Sequence, residues 1–464
     1  MTDPEALFAA QRRLAPARRS GFDRVARLAA LDRLRAAVLA HRAEIEAALQ
    51  ADFGKHPTET LLTEIIPVLQ EISHARRHLR GWMRVRWVRP SLTMLGASGR
   101  IVPQPKGVAL IMAPWNFPLN LALGPLVSAL AAGCSVVLKP SEMTPATSAL
   151  LARMLAETFP PDLVAVVEGG PEVATRLLAL PFDHIFFTGS PAVGRIVMAA
   201  AAKTLASVTL ELGGKSPVIV GPEANIAKAA KWLAWGKFFN AGQTCIAPDH
   251  VFVHGSVAAA LEEALQAEIA RMYGGDPASS PALAKLVSPR HWQRLRGLID
   301  GALAGGAAVV TGGGGDEAAR SMAPVILTGT TDNMQISKEE IFGPVLPLIP
   351  YDALEPVLER INGGDKPLAL YVFGNKALAD RVTAQTASGS VGVNLTVMPF
   401  IHPNLPFGGI GNSGLGAAHG YEGFRAFSHE KPVLVNRFLA MPLLFPPYGP
   451  PVRRLAEVLL RLVR

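Results

Sequence analysis

Three short stretches of this 464-residue chain hold side chains of the kinds that do covalent chemistry. In FFNAGQTCIAPDH, Cys245 follows a small, polar, glycine-containing approach, Ala241-Gly242-Gln243-Thr244, at the end of a helical pattern. A bend there can expose a thiol and leave backbone N–H groups pointing at whatever it attacks. A cysteine is more often a small buried hydrophobe. Cys134, in AAGCSVVLK, is read that way, because no acid or base stands near it. A cysteine nucleophile also needs partners. In VTLELGGKSPVIV, Glu211 closes an apolar strand, where a charged carboxylate is costly unless paired or used. It reads about as well as a solvated strand-end carboxylate; the adjacent Gly213-Gly214, which allows close backbone approach, favours a site. In APWNFPLN, Asn116 sits between prolines where a strand ends. Its amide could donate to a developing oxyanion, or simply hold a turn.

A second group of residues suits ligand binding. FFTGSPAVGRIV runs from strand through Gly189-Ser190 into a helix that opens on Pro191, with Gly194 in its first turn. Two glycines so spaced do not make the G-x-G-x-x-G fingerprint, so this signal is weak alone. LKPSEMTP places Lys139 and Glu142 at the end of the preceding strand pattern, suited to the hydroxyls of a ribose, and KEEIFGPV supplies Glu340 and Phe342 from far downstream. Each of these four also reads as a loop charge or a core aromatic.

The elements that must position these residues are legible from periodicity. Residues 108–220 alternate β-rich runs (108–113, 135–139, 164–168, 184–188 and 208–212) with helical stretches at 119–132, 144–158, 171–179 and 191–203. That alternation predicts βαβ units and a parallel sheet wound on both faces, with ligands beyond the C-terminal strand ends. A second α/β stretch opens at PVIV (217–220) and continues to about residue 395; within it GGGG (312–315) is expected to be a flexible surface loop. The N-terminal residues 11–45 space Leu, Val and Ala at three and four, which predicts an amphipathic helix with a solvated basic face.

Composition narrows the function classes. Hydrophobic residues are 49% and charged residues 18%, which suits a well-buried enzyme of two or three domains and excludes disorder. The net charge of +8 comes without any Lys/Arg block interleaved with aromatics, so no nucleic-acid partner is expected. Two cysteines make neither a disulfide framework nor a zinc site, and the N-terminus lacks an apolar signal core; a reducing, cytoplasmic setting is the expectation. Residues 107–138 carry no charge, yet Pro114, Pro118 and Pro125 break the run, so strand, turn, buried helix and strand is the better reading than a membrane span.

Taken together, PWNFP, KPSE, FTGS, ELGGKSP, NAGQTC, EEIFGPV and PFGG stand in an order and spacing that resembles the NAD(P)-dependent aldehyde dehydrogenase superfamily over nearly the whole chain. CIAPD, KPLALYVF, GNSGLGAAHG and FSHEKPVL look like its short class-3 branch of fatty, aromatic and coniferyl aldehyde dehydrogenases. The resemblance implies an α/β fold: a Rossmann-like NAD(P)-binding domain (1–83 and 105–210), an α/β catalytic domain (211–395), and a small bridging segment that pairs subunits and carries the tail (84–104 and 396–464). It implies Cys245 as nucleophile, Glu211 as general base, and Asn116 with the Cys245 N–H as oxyanion donors. Lys139 and Glu142 match adenosine-ribose contacts; Gly189, Ser190 and Gly194 the pyrophosphate turn; Glu340 and Phe342 the nicotinamide ribose and ring. Phe117, Trp235 and Phe407 are expected at the mouth of the substrate passage. NAD is the implied cofactor, with NADP accepted by many class-3 relatives, and a homodimer is the implied assembly.

Two positions depart from the pattern: Pro191 where Thr is frequent, and Leu395 where an acid is frequent. The expected reaction is oxidation of a medium- or long-chain aliphatic or an aromatic aldehyde to the acid, through a thiohemiacetal and a thioester. A CoA-acylating relative would lack the glutamate matched by Glu211, and an idle binding protein has no need of all three chemical residues. The tail NRFLAMPLLFPPYGPPVRRLAEVLLRLVR combines a Pro-broken apolar run with a short basic amphipathic helix. It is expected to pack over the substrate mouth or the partner subunit, with peripheral contact at a membrane surface as the alternative.

Overall fold

Five parallel strands make up most of the first sheet: Val108–Met112, Ser135–Lys139, Val164–Val166, His184–Gly189 and Ser207–Leu212. The first two are buried at every position, as strands covered on both faces must be. In the computed structural model, which describes residues 3–463, Val108–Met112 is central, with 135–139 and 164–166 on one side and 184–189 and 207–212 on the other. Gly414–Leu415 closes the Ser207–Leu212 edge in antiparallel register. The strand order therefore reverses between Val108–Met112 and His184–Gly189, and a crevice opens at such a switch point beyond the strand ends. Asn116 and Gly189-Ser190 follow these two strands directly.

The covering helices start and stop for local reasons. Asn120–Ala132 ends on Gly133 in the left-handed region (φ 94°), and Pro191–Thr204 begins with Pro at its first position and Ser190 as N-cap. The second sheet runs in the order Ala308–Thr311, Val325–Thr328, Val345–Tyr351, His250–His254, Pro217–Val220, Ala369–Phe373 and Ser390–Val393, parallel except at its first edge. A third sheet pairs Arg86–Val88 and Ser428–Asn436 with Ala97–Pro105, both antiparallel.

Two expectations need correction. The N-terminal stretch is three helices, not one: Pro4–Gly21, Arg24–Ala40 and Arg42–Phe53. Asp23 breaks the first from the second by accepting the Ala26 N–H as an N-cap. Its basic face is not wholly solvated, because Arg27 is buried and donates to the Ala131 and Phe22 carbonyls. GGGG is a surface loop at Gly312–Gly314, as expected, although a Cβ on Gly312 would lie 1.7 Å from the Pro324 carbonyl oxygen and Gly315 starts a two-residue strand. Cys134 is buried, and its Sγ donates to the Phe427 carbonyl at 3.3 Å. Among the described residues no helix is long and apolar enough to cross a membrane, and no group of three or more His, Cys, Asp or Glu could hold a metal ion.

Candidate active site

Loops from both large sheets meet at one cleft of about 260 Å³. Trp115 and Asn116 reach it from beyond Val108–Met112, Gly189 and Ser190 from the end of His184–Gly189, and Glu211 and Gly213 from the end of Ser207–Leu212. From the second sheet's side come Cys245, His291, Arg294, Glu340 and Phe342. On the far side of the thiol lies a narrower cavity of about 30 Å³, which Cys245 and Glu211 also line, together with Leu121, Phe400, Phe407 and His419. The thiol and the carboxylate thus stand where two cavities meet.

The electrostatics of the three groups follow from burial. Glu211 is 6% exposed, and neither carboxylate oxygen has a hydrogen-bond partner among the described residues. Desolvation alone pushes its pKa up to about 8. Burial also raises Glu340 to about 8, against the pull of the Gly214 N–H. Cys245 is held well above the usual thiol range, first by burial and then by Glu340 and Glu211, while the Cys245 and Ile246 backbone N–H groups favour the thiolate. Burial thus favours the neutral form of both groups, and each must give up its proton before it acts as nucleophile or base. His291, over Trp115 at 5.1 Å, is lowered to about 4 by burial, Arg294 and Arg290.

The loop before Cys245 is held in an unusual shape. Asn240 and Ala241 both have left-handed backbone (φ 49° and 52°), an arrangement that Asn tolerates better than most residues and Ala does not. Asn240 earns its place by bridging: its Nδ2 donates to the Asn116 carbonyl at 2.8 Å and to the Gln243 carbonyl at 3.2 Å. Asn116 Nδ2 donates to that same Gln243 carbonyl at 3.1 Å, leaving its second N–H free. Glu59 accepts the Asn240 N–H at 2.9 Å. Five residues on, in a π-helical turn at Leu61–Ile65, Glu64 pairs with Lys55 at 2.8 Å, both fully buried. The other Glu64 oxygen accepts the Leu119 and Asn120 N–H groups, capping the helix that follows the Asn116 loop. One N-terminal hairpin of helices thereby holds the amide loop and the thiol loop together.

The Aldehyde dehydrogenase family profile matches residues 5–433. The chain belongs to the aldehyde dehydrogenase family. A Caulobacter vibrioides protein named "Probable coniferyl aldehyde dehydrogenase" is 43% identical over 430 residues, 90% of this chain and 88% of that one. Aldehyde dehydrogenase family 3 member A2 of Macaca fascicularis is 40% identical over 91% of this chain and 87% of its own. The substrate-bound structure of Staphylococcus aureus AldH superposes with a TM-score of 0.94 at 37% identity, covering 99% of this chain and all of that one (100%). As an aldehyde dehydrogenase the chain oxidises an aldehyde to the carboxylic acid with NAD or NADP.

The cleft fits such a dinucleotide. The N-terminus of the 14-residue helix Pro191–Thr204 opens at Ser190 on the cleft wall, a place for a pyrophosphate. Two wall positions leave no room for a side chain: a Cβ on Gly189 would stand 2.5 Å from the Phe187 ring, and one on Gly213 2.3 Å from the Glu340 carboxylate. Gly194 does a different job, letting the helix close on Leu212. Phe342, itself at φ 48°, meets Trp115 edge to face at 5.3 Å. Lys139 and Glu142 bond each other at 3.0 Å at the end of Ser135–Lys139, one strand beyond the switch point, and do not line the cleft itself.

Among the aromatics expected at the substrate mouth, Phe407 lines the narrow cavity with the thiol. Phe117 and Trp235 do not line it; they flank Phe239, at ring distances of 5.9 and 5.2 Å. Lys55 Nζ lies 4.6 Å over the Phe117 ring. Sequence reasoning missed Lys55, Glu59, Glu64, Asn240, Phe400 and His419. Asn240 lay inside the stretch that carried Cys245 and could have been found as a left-handed candidate; the others gave no local signal.

Proposed function

We propose that this aldehyde dehydrogenase takes medium- or long-chain aliphatic or aromatic aldehydes, with Cys245 as nucleophile, Glu211 as general base and Asn116 as oxyanion donor. The observation that carries the reading is the position of Cys245 and Glu211 at the junction of two cavities. The wider one suits the reacting end of a dinucleotide; the narrower one is edged by Leu121, Phe400 and Phe407, so an aldehyde reaching the thiol would meet apolar and aromatic side chains there. The aromatic aldehyde in the Caulobacter relative's name agrees with that lining.

The Cys245 thiol gives its proton to solvent water, the thiolate Sγ bonds the aldehyde carbon, and the carbonyl oxygen takes up the charge beside the free Asn116 N–H and the Cys245 N–H. When bound, the dinucleotide supplies the hydride acceptor that turns the thiohemiacetal into a thioester. Glu340 and Phe342 hold its nicotinamide ribose and ring, Gly189, Ser190 and Gly194 shape the pyrophosphate turn, and Lys139 and Glu142 take the adenosine ribose. Glu142 favours a 2′-hydroxyl over a 2′-phosphate, so NAD is preferred and NADP accepted. Glu211 then takes a proton from water as the water oxygen bonds the acyl carbon; the C–S bond breaks and the acid leaves. Cys245→Ala is expected to abolish NADH formation while binding NAD, and Glu211→Gln to accumulate acyl-enzyme. Full turnover in either variant overturns the assignment it tests. A panel of aldehydes graded in length and aromaticity, with NAD and NADP, reads the substrate class.

The three sheets support a division into a cofactor domain (1–83, 105–210), a catalytic domain (211–395) and a bridging segment (84–104, 396–464). Exposed Trp87 and Leu434 on the third sheet suit the pairing surface of a homodimer. Phe117 and Trp235 extend the apolar passage outward from Phe407. The proposed setting is the cytoplasm.

A further inference from the structure

The base must lose the proton it gains; the Glu211 carboxylate is buried and unpartnered among the described residues, and of the two cavities it lines the wider one is where the dinucleotide would sit. The narrow cavity beside it contains one titratable group besides Glu211 and Cys245, which is His419. At about 30 Å³ the cavity has room for a water, and Asn120, Ser128 and Thr188 give its wall polar groups. The His419 ring stands against Phe400 at 4.6 Å and Phe407 at 5.6 Å, and its side chain is 16% exposed, so it borders solvent as well as the cavity.

His419 is held in place at a cost. Its backbone has φ 67°, a conformation non-glycine residues avoid unless the surroundings impose it. Glu71 meets this turn twice: one oxygen accepts the Gly420 N–H at 2.7 Å, and the other faces His419 Nδ1 across 3.7 Å. Nδ1 is thereby turned toward Glu71, which leaves Nε2 as the ring nitrogen for another partner. The other groups facing the ring's surroundings are His74, which touches Gly420 from the same helix as Glu71, and Glu211 and Cys245 across the cavity.

We propose that His419 relays the Glu211 proton to solvent after each thioester hydrolysis, with Glu71 positioning it. The proposal rests on Glu211 as the base. The proton that the Glu211 carboxylate takes from the attacking water passes through a cavity water to His419 Nε2, and the imidazolium gives one proton to solvent, leaving Glu211 a carboxylate and His419 a neutral imidazole for the next turnover.

The experiment compares wild type, His419→Gln, Glu71→Gln and Glu211→Gln by rapid mixing with NAD and aldehyde from neutral to alkaline pH. His419→Gln is expected to keep a full NADH burst at an unchanged rate while steady-state turnover falls ~10²-fold, with the loss restored by added imidazole. Glu71→Gln should shift the pH midpoint of turnover and lower it less. A burst and turnover that fall together, an unchanged turnover, or a loss imidazole does not restore overturns the relay. Should His419→Gln fail to fold, the wild-type proton inventory of steady-state turnover decides: curvature from more than one moving proton supports the relay, and a straight line overturns it. Turnover retained in Glu211→Gln would remove the base itself, which separates that failure from a normal His419→Gln beside an inactive Glu211→Gln.

Discussion

Glu211 carries its proton to about pH 8 in the folded protein, whereas an unfolded chain would release it near 4.5. The folded state therefore binds the proton more tightly, and stability falls as pH rises from about 4.5 to about 8, then levels. Replacing it with an isosteric amide removes that penalty. Glu211→Gln should melt at the same temperature as wild type in mild acid and higher in alkali, a gap worth a few kcal/mol at most, read by thermal melts across pH. A gap of constant size would show that packing, not titration, separates the two. At the cofactor wall the argument is steric. Gly213→Ala would push the Glu340 carboxylate from its seat, so the KM for NAD should rise ~10-fold or more with the fold intact. An unchanged KM would place the nicotinamide ribose elsewhere. Residues such as Cys245 and Glu211 were legible in sequence because each is chemically out of place in its own stretch. Lys55 and Glu64 were not: either reads as an ordinary surface charge until the fold buries the pair.

The limits of Ser135–Lys139 and Pro217–Val220 coincide with their β-rich runs, since Gly or Pro stands beside each run. Reading failed where one side chain decided the outcome, as at Asp23 between two helices, and it did not show where two backbones touch, as at Gly312. The π-helical turn at Leu61–Ile65 had no sequence cue either, because its reason is the remote helix start that Glu64 caps. Two substitutions test this element. Lys55→Met leaves Glu64 buried without its cation and should cost about 3–5 kcal/mol in denaturant unfolding; a loss under about 1 kcal/mol would mean that the backbone N–H groups alone satisfy the carboxylate. Asn240→Gly accepts the left-handed backbone but loses both side-chain bonds to the amide and thiol loops. Its melting temperature should move little while kcat drops ~10–10²-fold, since an ångström of misplacement at the reacting groups is enough. Wild-type kcat in that variant would show the two loops hold themselves.

At the scale of the molecule, the tail is the part whose stability the rest of the chain does not explain. The helix Pro450–Val463 packs chiefly against the turn Met441–Leu444, and Leu455, Val458, Leu460 and Leu462 are exposed. A 14-residue helix with so little support is marginal in water, so another surface has to cover its apolar stripe. No tail residue lines the narrow cavity beside Cys245 itself. The exposed Phe438 and Leu434 lie where the tail leaves the third sheet, so a partner subunit seated on that sheet would meet the helix as well. Arg453, Arg454 and Arg461 would also suit an anionic bilayer, and that is the competing cover. If the partner subunit covers it, removing residues 441–464 should weaken the dimer in sedimentation at low concentration and leave the NADH burst per site unchanged. The full chain should then stay in solution when vesicles containing acidic lipid are floated. Flotation of the full chain, lost on truncation with the dimer untouched, would transfer the helix from the subunit interface to the membrane surface.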